Sequence, residues 1–341
     1  MSELKTRSTL QRRMTNFVDW IRPEKNTRDD IRERRNNVTK NISNQAAVDG
    51  LIVMQTPSSG SFANHTGLRR HYRGDAEVEG QDVDIPFVLK KETVEGETLD
   101  ELLDRFERYA EASYPNSKII PTKSSVKLEY SQNVSFDLVP MIAVERDDKQ
   151  EIIRSNGDHI ETSVRLHVDF IKSRTKDSKD QEGRVKFNEC VRLLKWWRNH
   201  QASNARLLGG DDAPSSFLIN LLAAKAYDEE SVCETYAETL AQWSGYLAHL
   251  VNKKKPILFT DYNQPTTDTD AEWTVMDPVN ATNNVVKKWG AWEIVELADW
   301  FSSARDEWSR IIQYNESGKD SDALKGLVKL FGNSFQNHCD Q

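Results

Sequence analysis

Cysteine is scarce. The 341 residues contain three, Cys190, Cys233 and Cys339, far apart and in no CxxC pair. An odd number at such spacing argues against a disulfide framework and excludes a zinc ribbon. No apolar run approaches the roughly 18 residues that a membrane-spanning helix requires. The first ten residues, MSELKTRSTL, hold no apolar signal-peptide core. Basic charge is not in surplus: 46 Lys and Arg stand against 54 Asp and Glu, a formal net charge of −8. That speaks against a strongly basic duplex binder held by phosphate contacts. There is no GxxxxGK[ST] loop, no GxGxxG and no HExxH, and the seven histidines are scattered without a nucleophilic constellation. No internal repeat and no long low-complexity linker interrupts the chain. The expectation is a cytoplasmic, non-membrane protein with a sizeable core, because 9 Trp, 9 Tyr and 12 Phe are too many for a disordered chain.

What is present divides the chain. Residues 1–45 carry eleven Lys and Arg against six Asp and Glu, a basic segment in an acidic protein. Leu10, Met14, Phe17, Val18 and Ile21 recur at helical spacing, Pro23 interrupts, and a second helix is expected from Thr27 to about Ala46. The basic segment reads as a solvated helical face or as a contact for nucleic acid or a partner. Residues 47–165 look mixed. Leu51 to Thr56 and Val83 to Leu89 are strand-like, Thr98 with Glu101 forms a capping box opening a helix to about Tyr114, and Ser125 to Tyr130 and Val134 to Val144 read as strands around a turn near Gln132-Asn133. Residues 166–341 are mostly helical. The expectation is an α+β protein with three parts: an N-terminal helical spine over 1–46 that packs on both lobes, a mixed-sheet core with helices over 47–165, and a helical C-terminal lobe over 166–341.

Asp-x-Asp occurs three times, as Asp82/Asp84, Asp268/Asp270 and Asp320/Asp322. The last two sit among polar and turn residues. The first lies at the mouth of an apolar strand, QDVDIPFVLK, where alternation sends Asp82 and Asp84 to one face while Val83 and Ile85 enter the core. Asp137 sits inside another strand, VSFDLVPMIAV, and an acid there must be paired or metal-bound. Three carboxylates converging within about 4 Å would repel by roughly 4 kcal/mol per pair at an effective dielectric near 20. Cations would have to neutralise them, and hard oxygen ligands beside phosphates suit Mg²⁺. The alternative has Asp82 and Asp84 capping a strand and Asp137 paired with an arginine. Gly60-Ser61, after a short strand and before a short helix expected over Phe62 to Leu68, fits either a phosphate-binding turn or an ordinary one.

The order strand, Gly60-Ser61, short helix, Asp82-x-Asp84, Asp137 resembles the polymerase-β-like nucleotidyltransferase superfamily. Downstream, Val191-Arg192-Leu193-Leu194-Lys195-Trp196-Trp197-Arg198, Pro214-Ser215-Ser216-Phe217, Asp277-Pro278-Val279-Asn280 with Asn283-Asn284, and Leu330-Phe331-Gly332-Asn333-Ser334-Phe335 are similar to the cGAS/DncV-like nucleotidyltransferases. These are the SMODS-type bacterial cyclic-oligonucleotide synthases of CBASS anti-phage systems, and the resemblance covers about residues 10–335. It implies a bilobed polymerase-β-like core. Asp82, Asp84 and Asp137 would be catalytic and hold two Mg²⁺ ions, with Mn²⁺ an alternative. Gly60 and Ser61 would hold the donor triphosphate, with Lys195 from the helical lobe and the Ser216 hydroxyl. Phe217 would stack on a base or pack in the core, and Asp277, Asn283 and Asn284 would contact a base or cap a turn. Asp82 lies 21 positions after Ser61, longer than is usual in that superfamily; the polar residues around Arg69 to Gly80 read as a surface insertion.

The resemblance further implies nucleotidyl transfer from ATP and other nucleoside triphosphates. It implies closure of a cyclic di- or trinucleotide, adenine-containing and in one branch cyclic tri-adenylate, and a separate effector protein activated by that product. HORMA-type or ubiquitin-like regulators are the partners it suggests; no membrane partner and no strong nucleic-acid signal is expected. The enzyme alternatives are a template-independent RNA or tRNA nucleotidyltransferase and a linear oligoadenylate synthase. The non-enzyme alternative is a degenerate nucleotide-sensing scaffold.

Overall fold

The computed structural model describes residues 8–73, 76–79, 82–131, 134–144, 149–153, 157–180 and 185–340. The expected turn at Gln132-Asn133 and parts of the 69–80 insertion (residues 74, 75 and 80) lie outside them. The chain runs through α1 (Thr9–Ile21), α2 (Lys25–Val48), β1 (Val53–Gln55), α3 (Gly60–Ala63), β2 (His71–Arg73), β3 (Ala76–Glu79), β4 (Asp82–Leu89) and α4 (Leu99–Ser113). It continues through β5 (Lys118–Pro121), β6 (Val126–Ser131), β7 (Val134–Ala143), β8 (Gln150–Ile153), β9 (His159–Thr162) and α5 (Val164–Asp180). The remainder is helical: α6 (Phe187–Ala202), α7 (Ser216–Glu230), α8 (Tyr236–Asn252), α9 (Ala291–Glu316), α10 (Asp320–Phe331) and α11 (Asn333–His338). Two compact units result, one of residues Pro23–Phe170 and one of Met1–Arg22 with Ile171–Gln341. The break at Pro23 therefore assigns α1 and α2 to different units. Among the described residues no helix is long and apolar enough to cross a membrane.

The first unit is built on a seven-stranded mixed sheet. Its main path is β1-β4-β7-β6-β5, with β8 added to β7 and β9 to β8. Among the described residues of this sheet, only β4 and β7 pair in parallel; the other pairs are antiparallel. Strand alternation sorts the residues by face. Val83, Ile85, Phe87 and Leu89 of β4 and Phe136, Leu138 and Ile142 of β7 point into one core with Ile31, Val38 and Ile42 of α2 and Leu102, Leu103 and Phe106 of α4. The capping box that starts α4 is formed: Glu101 N donates to Thr98 Oγ1 at 3.3 Å and Thr98 N donates to Glu101 Oε2 at 2.8 Å. On the opposite face Val88, Met141 and Val164 make a small apolar cluster, and beside it lie Asp84 and Asp137. The insertion before β4 contains a two-stranded hairpin, β2-β3. The helix expected at Phe62–Leu68 shortens to the single turn Gly60–Ala63, because His65 takes φ 61° and Asn64 Oδ1 accepts from Thr66 N and Oγ1 in a tight side-chain turn.

The second unit packs around α6, in which 13 of 16 residues are buried. Its buried residues include Glu189, Arg192, Lys195 and Arg198, so burial nearly all round is not announced by an apolar sequence. Phe17 of α1 enters an aromatic cluster with Trp196, Phe331 and Phe335, ring centroids 4.7 to 5.5 Å away. Trp196 Nε1 donates to Phe331 O at 3.0 Å, and Trp20 stacks on His338 at 3.8 Å. Phe17 is fully buried. Phe17→Ala is therefore expected to destabilise this unit by about 3–5 kcal/mol. Urea unfolding followed by tryptophan fluorescence reads it, since Trp20 and Trp196 both flank the ring.

Candidate active site

Two of the three expected carboxylates, Asp84 and Asp137, are brought to one face by strand register. Asp84 on β4 and Asp137 on β7 are direct Cα partners in the parallel pair, so both sit on the same sheet face, on strands about 4.8 Å apart. Asp82 lies two residues before Asp84 on the same strand, opposite Ser135. Both Asp84 and Asp137 are half-buried. Ser125 Oγ donates to Asp137 Oδ1 at 3.2 Å. On the other side of β7, Lys127 of β6 is the register partner of Asp137. At about 5 Å and an effective dielectric near 20, two such carboxylates repel by roughly 3 kcal/mol, an upper figure for groups that water still reaches. Among the described residues no group of three or more His, Cys, Asp or Glu side chains is gathered as a metal site. The pair nonetheless fits a divalent cation: its donors are hard carboxylate oxygens on one sheet face, the set that Mg²⁺ takes.

Gly60 and Ser61 lie against this pair. Gly60 has φ +70° and sits so close to β4 that a Cβ there would come within 2.7 Å of Asp84 Oδ2. Glycine is needed twice, for its left-handed backbone and for the approach of the turn to the carboxylate. The carbonyls of the turn are tied inward: Asn64 N donates to Gly60 O at 3.3 Å, and Thr66 N and Gly67 N donate to Ser61 O at 2.9 and 3.1 Å.

The residues expected on the second unit are placed as follows. Lys195, on α6, is 2% exposed, and Ser216 opens α7. Arg198 Nη2 donates to Ser216 Oγ at 3.2 Å, and the same guanidinium donates to Pro214 O. Ser215 caps α7 by accepting from Leu218 N at 3.1 Å. Phe217 is partly exposed, whereas Leu218 and Ile219 are buried. Asp277 is 4% exposed and works locally: its Oδ1 accepts from Val279 N at 2.8 Å and Asn280 N at 3.3 Å, and its Oδ2 accepts from Asn283 Nδ2 at 3.1 Å. Asn284 likewise accepts from Val275 N and donates to Trp273 O. Their hydrogen bonds shape a turn, the structural one of the two roles weighed for them. Asp268 accepts from Asn284 and from Asp270 N, which holds its carboxyl below the usual range, and Asp322 pairs with Lys325. Those two Asp-x-Asp pairs are thus used in local structure. Ser125 and Lys127 were not legible as site residues; only the register of β6 on β7 brings them to Asp137.

Residues 9–174 match the family described as the Second Messenger Oligonucleotide or Dinucleotide Synthetase domain. The chain is 28% identical over 286 residues to the cyclic AMP-AMP-AMP synthase of Escherichia coli (strain MS 115-1), covering 82% of each. Among solved structures it is similar to Escherichia coli CdnC with ATP, at a TM-score of 0.76 and 23% identity over 95% of this chain and 98% of that one. It is similar also to the Escherichia coli CdnC:HORMA-deltaN complex, at a TM-score of 0.75 and 24% identity with the same coverage. At these identities the structural likeness establishes the fold.

Proposed function

Because the chain belongs to the second-messenger oligonucleotide or dinucleotide synthetases of the cGAS/DncV-like type, and is thus a nucleotidyltransferase, we propose that it joins nucleoside triphosphates into a cyclic adenine-containing oligonucleotide. Cyclic tri-adenylate is the product we favour, on the similarity to a cyclic AMP-AMP-AMP synthase. The observation that carries the reading is the direct pairing of Asp84 with Asp137 on one sheet face, with Gly60 seated on Asp84.

Asp82, Asp84 and Asp137 would hold the divalent ions. Those ions, when bound, lower the pKa of an attacking ribose hydroxyl and neutralise charge on the leaving oxygens. The Gly60-Ser61 amides and the Ser61 hydroxyl grip the donor triphosphate beside Asp84, so its α-phosphate is presented to the carboxylate face. The hydroxyl oxygen of the acceptor forms the new bond to that phosphorus as the bridge to the β-phosphate breaks. Its proton is lost, and pyrophosphate leaves with the bonding electrons. Repetition lengthens a linear intermediate, and attack of its free hydroxyl on its own terminal triphosphate closes the ring. For Lys195 and Ser216 a part in gripping phosphates rests on the resemblance alone, as does a base contact by Asp277 and Asn283, whose hydrogen bonds shape their turn. The product would serve as a second messenger in anti-phage defence, acting on a separate effector, and a HORMA-type regulator is the partner suggested by the CdnC:HORMA-deltaN likeness.

Incubation with Mg²⁺ and ATP, alone and mixed with the other nucleoside triphosphates and without RNA, tests this. A phosphatase-resistant product whose mass is that of three adenylates less three waters is expected. A product extended only from an added RNA primer, or a phosphatase-sensitive linear oligomer, would replace the cyclic reading.

A further inference from the structure

The segment that leads into the Gly60-Ser61 turn is held from α2. Arg35 Nη2 donates to the carbonyl oxygens of Thr56 and Pro57, at 2.7 and 2.9 Å. Thr56 to Ser59 lie in no helix or strand, so this double contact fixes the entry of the turn, while the approach of Gly60 to Asp84 fixes its exit. The neighbouring arginines of α2 are neutralised: Arg32 pairs with Asp29 at 3.2 Å and Arg34 with Asp30 at 2.9 Å. Arg35 is half-buried, and among the described residues it pairs with no carboxylate. Burial pushes its pKa down, as expected of a guanidinium whose charge no acid offsets.

We propose that Arg35 is the positioning residue of the donor-phosphate turn: it fixes the path of Thr56–Ser59 so that Gly60 and Ser61 present their amides to a nucleoside triphosphate, and it supplies a standing positive charge behind that turn. This deepens the nucleotidyl-transfer reading and rests on it. A charge-assisted contact from one nitrogen to two successive carbonyls restrains the loop more than a neutral hydrogen bond would. An ordered turn spares the ligand the entropy of arranging it. The effect belongs to the phosphates and not to the base, which separates it from a general structural role.

The test is binding without turnover. The Kd of α,β-methylene ATP in Mg²⁺ is expected to rise about tenfold in Arg35→Met, while adenosine binds as it does to the unsubstituted protein. Under turnover the same variant should raise KM for ATP with kcat within about threefold. Arg35→Lys, which keeps the charge and can donate to both carbonyls, should recover most of the affinity. If the methionine variant does not fold, Arg35→Gln is read in its place, with the same expected loss. Unchanged analogue binding in the charge-removed variant, or equal weakening of analogue and adenosine, would overturn the assignment while leaving the function intact. Failure of the unsubstituted protein to bind the analogue would overturn the nucleotidyl-transfer reading itself.

Discussion

Replacing Asp84 and Asp137 together by asparagine is expected to cut nucleotidyl transfer by more than about a thousandfold in kcat while the fold persists. The two side chains are register partners on one face, so the change removes the like charges at a single point. Asparagine conserves volume and still accepts a hydrogen bond, so Ser125 keeps a partner where it now donates to Asp137 Oδ1. Folding should not suffer. In a chelator the relieved repulsion should leave Tm unchanged or raise it by about 1–2 °C, a small gain because both groups are only half-buried and screened by water. A second signature follows from linkage: a cation that binds only the folded chain stabilises it by mass action. The native protein should therefore gain Tm on adding Mg²⁺, and the double variant should not. Product chromatography and thermal melts with and without Mg²⁺ read both quantities. Synthesis at the native rate in the variant would remove the catalytic assignment.

Gly60→Ala is the second large effect. An added Cβ would stand 2.7 Å from Asp84 Oδ2, where ordinary contact needs about 3.4 Å or more, and the backbone at φ +70° already penalises any side chain by roughly 1–2 kcal/mol. Either the turn withdraws from β4 or the Asp84 carboxylate swings away. A misplacement of about 1 Å at reacting groups can cost on the order of a hundredfold, and that loss of kcat/KM is expected. Gly96→Ala separates strain from crowding. Gly96 has φ +82° but meets nothing within 4 Å. It should lose stability of the same order and keep its activity within about twofold. Steady-state kinetics on the two variants, with melts alongside, decides whether the Asp84 contact matters; equal activities would deny it.

Much of the fold could be read from local pattern. The spacing of Leu10 to Ile21 predicts α1, Pro23 marks its end, and the Thr98-x-x-Glu101 box forms as its chemistry demands. The start of α2 was displaced: it opens at Lys25 and not at Thr27, with no side-chain cap to announce it. The hairpins β2-β3 and β8-β9 gave no signal, being short and flanked by polar residues. In the site, alternation along QDVDIPFVLK could place Asp82 with Asp84, but nothing local reports that Asp137 is Asp84's partner. Parallel pairing joins distant segments, and its register is set by tertiary packing. Nothing in the sequence around Lys195 announces its burial; α6 is buried nearly all round, so the lysine is enclosed with it. Arg35 was one arginine in a charged helix, and only its reach to Thr56 and Pro57 distinguishes it.

The assignment of α1 to the unit that closes with α10 and α11 has a consequence for how the molecule is made. Translation delivers that helix before the sheet unit and Phe331 and Phe335 after it, so Phe17 meets those two rings only once the intervening unit has been made. The sheet unit, encoded without interruption between the two, can mature early as a nascent domain. The amphipathic segment must meanwhile wait, so the nascent chain depends on whatever shelters Met14, Phe17 and Ile21 until Phe331 and Phe335 have been made.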